Sequence, residues 1–249
     1  MDSCALNGFL APAQRERLLA AVPKRHSVRS YIGDPDVSGL SALHYAAARF
    51  CLPGARLMLG EGNPEALYRK FPFVPAIHGT RRFAAVIADM ETPHADLHAG
   101  ICGEALILEA VSMGLGSCWV MAFKRNGAEI ELREGEKILA LIALGLPGEE
   151  PGPFRRKRLN EICQSDPSNW PLWAYNAAEC VRKAPSAVNQ QPWRLAFAGR
   201  TLMLSAVRGT PLDLGIAMLH MSLGVGEKPH VIRWGEGKEI ASLVAEDRL

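Results

Sequence analysis

Two stretches of this chain carry residue types that do chemistry at spacings that matter. The first is Lys24-Arg25-His26-Ser27-Val28-Arg29-Ser30-Tyr31. Alternate residues of an extended backbone project to one side, so Arg25, Ser27 and Arg29 would face the same way. Two guanidiniums and a hydroxyl suit a phosphate, because Arg forks two hydrogen bonds onto such oxygens. A solvated basic turn has the same composition. The second stretch is Ala184-Pro185-Ser186-Ala187-Val188-Asn189-Gln190-Gln191-Pro192-Trp193. Pro185 and Pro192 exclude helix and bias Ala184 and Gln191 away from helical angles. The stretch is expected to be a stiff, extended loop that offers amide and hydroxyl hydrogen bonds without charge. A flat heteroaromatic ring edged with carbonyls and ring nitrogens would suit it. An ordinary surface turn uses the same residues.

Other candidates are less specific. Arg155-Arg156-Lys157-Arg158 follows a Gly/Pro/Glu linker at 148–153 and fits either a basic binding element or a solvated cluster. Glu104 and Glu109 read as an acid/base pair or as helix residues with local partners. Cys4, Cys51, Cys102, Cys118, Cys163 and Cys180 are scattered without short-spaced pairs. That pattern argues against zinc and iron–sulfur sites and for thiols in a reducing cytoplasm. A net charge of +2 gives no nucleic-acid footprint. No apolar run reaches the roughly 20 residues needed to span a bilayer. The start of the chain shows no basic region followed by an apolar segment, so no secretory signal is expected.

These residues need elements to hold them, and a chain that is 48% hydrophobic can bury a substantial core, as one large domain or two intimate halves. Helices are expected over 12–22, 37–49, 97–113, 172–183 and 213–223. The one at 97–113 is apolar on nearly every side, so it belongs inside the fold rather than on its surface. Gly114 and Gly116 should end it. Strands are expected over 83–88, 138–144, 194–198 and 202–206.

The loop at 184–193 resembles the Ala-Pro-Ser-x-x-Asn-x-Gln-Pro-Trp signature of the flavin-dependent nitroreductase family. Two further features are similar to that family: the Arg25–Arg29 cluster, and Gly114-Leu115-Gly116-Ser117-Cys118-Trp119 after the long apolar helix. The resemblance spans roughly residues 23–234. It implies an α+β, nitroreductase-like fold with FMN as cofactor and NAD(P)H as transient electron donor. By the same resemblance Arg25, His26, Ser27 and Arg29 bind the FMN phosphate and ribityl chain, although His26 reads equally as a structural histidine. Pro185, Ser186, Ala187, Asn189 and Gln191 hold the ring, Met121 and Ala122 lie against it, and Arg156 and Arg158 reach the phosphate. No side chain is assigned a proton-transfer role. The family often has a glycine pair where this chain has Met121 and Ala122, which narrows the expected pocket.

The family places its Pro-Ser-x-x-Asn loop one helix after the arginine cluster, but here that place reads Cys51-Leu52-Pro53-Gly54-Ala55-Arg56-Leu57. The intact loop comes in the later part of the chain. Gly100-Ile101, Leu108 and Trp119 match Gly215-Ile216, Leu223 and Trp234 at one constant offset. Both observations favour an internal duplication: a first half at 1–160 and a shorter second half at 161–249, pseudo-symmetric, with a buried central helix pair. The expectation is a cytoplasmic monomer acting as an internal pseudo-dimer, with one flavin per chain shared between the halves. It would pass electrons from NAD(P)H through FMN to a small organic acceptor such as a nitroaromatic or quinone. The alternatives are a flavin- or small-molecule-binding protein without turnover, and an interaction domain that keeps the fold alone. The family's dehalogenating and flavin-degrading chemistries also stay open.

Overall fold

The computed structural model describes residues 4–70, 75–152, 155–226, 230–235 and 239–245. In chain order the elements are α1 (Pro12–Ala21), β1 (Tyr31–Gly33), α2 (Val37–Arg49), β2 (Ala55–Glu61), α3 (Pro64–Leu67), β3 (Arg82–Asp89), α4 (Ala95–Ser112), β4 (Gly116–Val120) and β5 (Glu136–Pro147). After them come α5 (Leu159–Ile162), α6 (Leu172–Lys183), β6 (Trp193–Ala198), β7 (Thr201–Ala206), α7 (Pro211–Gly224), β8 (His230–Trp234) and β9 (Glu239–Ala245). They form two compact units, one from the described residues of Pro23–Phe154 and one from those of Met1–Val22 with Arg155–Leu249.

In the Pro23–Phe154 unit β5 is the longest strand, and its length lets it serve several partners. It pairs antiparallel with β3 along one side, and with β4 and then the short β1 along the other. β2 extends the sheet beyond β3. β3 is buried from Phe83 to Ala88, as its unbroken apolar run requires. α4 packs on β2, β3, β4 and β5, and its side chains are buried around nearly the whole circumference. α2 has one apolar face, which buries Leu43, Ala46 and Ala47. Its first turn is capped by Asp36, whose side chain accepts from Gly39 N. Gly114, at φ +78, turns the chain out of α4. Gly116 is already the first residue of β4, where a Cβ would lie 3.0 Å from Val28. It therefore makes room for the arginine-bearing segment rather than ending the helix.

The second unit has an antiparallel sheet in the order β6-β7-β9-β8, with α6 and α7 packed on one another. α7 is buried from Leu212 to Gly224 and is opened by a capping box between Thr210 and Asp213. A Cβ at Gly224 would come within 2.6 Å of Ala177 Cα, so glycine sets how closely the two helices approach.

The passage between the units falls at 154–155, and the start of the chain belongs with the second of them. Residues 4–22 pack with the second unit. Asn7 exchanges two hydrogen bonds with the backbone of Ile232, at 2.8 and 2.9 Å. Arg15 Nη1 donates to Ser222 O at 2.7 Å and to Ser222 Oγ at 3.1 Å. The placement of 1–22 in a first half is thus corrected: α1 finds its apolar partner on α7.

Candidate functional site

In the Pro23–Phe154 unit, the segment 25–30 is pinned on both sides. Val28 N donates to Ser117 O at 2.9 Å, and His78 N donates to Arg29 O at 3.0 Å. Arg25 is buried, 6% exposed, with Nε 3.9 Å from Glu104 Oε1. Glu104 is fully buried on α4, and its other oxygen accepts from Trp119 Nε1 at 2.8 Å. Gly103 creates the space for that indole, since a Cβ there would lie 2.2 Å from Trp119 Cη2. Glu104 is therefore the internal counter-ion of Arg25, not half of an acid/base pair. Burial pushes the Cys118 thiol up, while Arg29, Arg25 and a hydrogen bond with Ser27 pull it back, so the three polar residues of the alternation act on one sulfur.

Several groups here are not satisfied by protein. Arg25 Nε, His26 Nε2 and Ser117 Oγ are buried and make no hydrogen bond among the described residues. His26 Nδ1 lies 3.2 Å from Lys24 O, which leaves Nε2 as the open face of the ring. Orphaned buried polar atoms are rare, so each of these calls for an explanation. Two guanidinium-bearing residues, an imidazole and a serine hydroxyl fit a phosphate and the hydroxylated chain attached to it. Sequence reasoning missed Glu149, whose Oε1 accepts from Arg29 N at 2.5 Å and Ser30 N at 3.3 Å. Those bonds, led by the one from Arg29, hold its carboxyl below the usual range, and the charges of Arg29 and His26 add to the effect. Met121 and Ala122 follow β4 at the mouth of a groove that also takes in Arg69 and Lys124.

The 184–193 loop, in the other unit, is not extended. Val188, Asn189 and Gln191 have φ of 44, 57 and 48, and 187–189 form a 3-10 turn. Left-handed geometry suits Asn but strains a β-branched Val. The turn is held from several directions. Asn189 N donates to Ser186 O at 3.0 Å, Gln191 N donates to Ser186 Oγ at 2.8 Å, and Ala187 N donates to Asp213 Oδ1 at 2.8 Å.

The loop's amides are also largely engaged. Asn189 Oδ1 accepts from Arg156 Nη1 at 2.7 Å, and Asn189 Nδ2 donates to Arg155 O at 2.8 Å. Gln191, 2% exposed, accepts Lys157 N on Oε1 at 2.9 Å, and Lys157 Nζ donates to Gln190 O at 2.7 Å. The loop's own residues carry no charge, but it folds onto the basic run and draws in Arg156 and Lys157. Burial, then Arg194 and Arg208, lower the Lys157 ammonium. Arg158 stands apart, its side chain 80% exposed and 3.2 Å from Glu161. Lys157 was within reach of sequence reasoning only as a member of the basic run.

Among the described residues no group of His, Cys, Asp and Glu could hold a metal ion, and no helix is long and apolar enough to cross a membrane.

No curated protein matches the chain. Among solved structures, one described as a "putative nitroreductase" from Thermotoga maritima MSB8 is similar with a TM-score of 0.65 at 22% identity, over 91% of this chain and 93% of that one. Shorter matches include a nitroreductase with bound FMN from Bacteroides fragilis NCTC 9343, at TM-score 0.45 and 16% identity, over 56% of this chain and 94% of that one. Another is described as a "Putative NADH dehydrogenase/NAD(P)H nitroreductase" from Parabacteroides distasonis ATCC 8503, at 0.46 and 21%, over 59% and 96%. Residues 17–225 match the family described as "Putative TM nitroreductase", and this chain belongs to that nitroreductase family.

Proposed function

We propose that the chain is an FMN-dependent oxidoreductase that takes electrons from NAD(P)H and passes them to a small organic acceptor, such as a nitroaromatic or a quinone. The observation that carries this reading is that Arg25 Nε, His26 Nε2 and Ser117 Oγ are buried without a hydrogen bond among the described residues, in a chain of nitroreductase family. FMN, when bound, supplies the hydride-accepting and electron-donating chemistry. The protein's part is to bind, orient and tune. Arg25, His26, Ser27 and Arg29 hold phosphate and ribityl oxygens. Pro185, Ser186, Ala187, Asn189 and Gln191 hold the ring, with Met121 and Ala122 against it. Arg156 steadies Asn189 directly, and Arg156 and Arg158 add positive charge for the phosphate. Hydrogen-bond donors of the loop that meet the pyrimidine edge of the ring would stabilise the negative charge gained on reduction.

The duplication belongs to the same proposal: one flavin per chain, in a monomer. Purified protein is expected to be yellow, to titrate with one FMN, and to bleach under anaerobic NADH or NADPH. Two equivalents of FMN per chain would overturn the single-site assignment. A colourless protein that gains no flavin absorbance on adding FMN would overturn the whole reading. The second reading, a flavin binder without turnover, draws on Met121, 41% exposed where the family often has glycine. A yellow protein that neither nicotinamide bleaches would favour it.

A further inference from the structure

Past β4 the chain from Met121 to Lys124 runs beside 67–69. Arg69 N donates to Ala122 O at 3.1 Å, Lys124 N donates to Leu67 O at 2.7 Å, and Tyr68 and Phe123 form a bridge. Between this pair and Ile138–Leu139 of β5 lies a groove of about 930 Å³. That volume is in the range of small-molecule sites. Met121, Phe123, Ile138 and Leu139 give it apolar walls, and Arg69, Lys124 and Arg125 give it cations.

These cations are positioned without being neutralised. Arg69 Nε donates to Phe123 O at 3.2 Å, and Lys124 Nζ donates to Glu65 O at 2.9 Å. Both acceptors are backbone carbonyls. The Glu65 carboxylate, the acid close at hand, is 3.6 Å from Lys70 Nζ instead. Among the described residues none of Arg69, Lys124 and Arg125 forms an ion pair. Arg69 therefore keeps its terminal nitrogens for a forked acceptor. A bare inorganic anion would make no use of the apolar walls, and a neutral ring would make no use of the cations. We propose that the groove binds a planar aromatic carboxylate, its ring against Met121 and Phe123 and its carboxylate against Arg69 and Lys124. The binding stands by itself; only its place in turnover, as the acceptor subsite, rests on the proposed function.

The test compares 4-nitrobenzoate with 4-nitrobenzamide, which keeps the ring and loses the charge, by calorimetric titration of the full chain. The carboxylate should bind at least about tenfold tighter. Arg69→Ala and Lys124→Ala should each weaken it roughly fivefold to tenfold and leave the amide unchanged, while Arg69→Lys should retain part of the affinity. Circular dichroism melts confirm that each variant folds. Equal binding of carboxylate and amide, or folded variants that bind the carboxylate undiminished, would overturn the proposal. So would inorganic phosphate competing as strongly as the nitrobenzoate. Flavin absorbance on the same samples separates the two claims, since missing FMN with intact carboxylate binding refutes the oxidoreductase reading alone.

Discussion

Replacing Arg25 by Met keeps most of the side chain's volume and takes a positive charge away from the side of buried Glu104. Glu104 has no exposed surface and the pair is separated by 3.9 Å. At that distance the gross attraction is about 4 kcal/mol at an effective dielectric constant near 20. Breaking a buried pair by removing one partner typically costs about 3–5 kcal/mol, because the remaining charge is stranded. The hydrogen bond from Trp119 Nε1 persists in the variant and offsets part of this, so we expect a loss of about 3 kcal/mol for Arg25→Met. Arg25→Met with Glu104→Gln should recover most of it, since a neutral amide keeps an acceptor for Trp119 and strands no charge. The assay is urea unfolding of flavin-free protein, followed by tryptophan fluorescence. Trp119 is the sole tryptophan between Pro23 and Phe154, and the other four contribute to the same signal, so circular dichroism is followed alongside. A single variant that loses less than about 1 kcal/mol, or a double variant whose loss equals the sum of the two single losses, would refute the idea that the ions are coupled.

Gly103→Ala drives a methyl into the Trp119 ring and should cost roughly 1–3 kcal/mol in the same urea assay. Arg56 forks Glu136 through two bonds of 2.7 Å and holds its carboxyl at about 2 against an ordinary 4.5. A depressed carboxyl stabilises the fold above its unfolded pKa, and that stability is lost as pH falls through the folded one. Stability should therefore decline between about pH 4.5 and pH 2, and Glu136→Gln should flatten that acid limb and lower stability near neutrality by about 2 kcal/mol, as read from urea midpoints across pH. Gln191→Ala removes the acceptor for Lys157 N and should loosen the 155–157 run. Faster limited proteolysis there, with FMN affinity reduced roughly tenfold, is the expected result. Val188→Gly relieves a left-handed β-branched residue that is 83% exposed and should raise thermal stability by up to about 1 kcal/mol.

Much of this architecture is legible in the sequence where local chemistry decides it. α2 and α6 begin and end at the expected residues, since Asp36 caps the one and Pro171 and Pro185 bracket the other. α4 is legible because an all-round apolar helix has only one place to go. β2 is not, because Arg56, Gly60 and Glu61 break its alternation and its identity comes from pairing with β3. β8 and β9 likewise gain their strand character from each other and from β7. The candidate residues 25–29 and 184–193 stand out by composition, but their conformations do not. The left-handed turn at Val188 depends on Asp213, and Arg25's burial depends on Glu104, both remote in sequence. Glu149 has no sequence signal, as it acts through backbone N–H groups that carry no side-chain signature.

The clasp of Arg15 onto Ser222 has a consequence for biosynthesis. Ribosomes deliver α1 long before α7, with every strand of the Pro23–Phe154 sheet emerging in between. That inserted sheet can mature while α1 is still waiting, and the unit that holds α1 closes only after α7 has emerged. Truncation shortly before residue 211 should thus leave α1 without its partner while sparing the inserted unit.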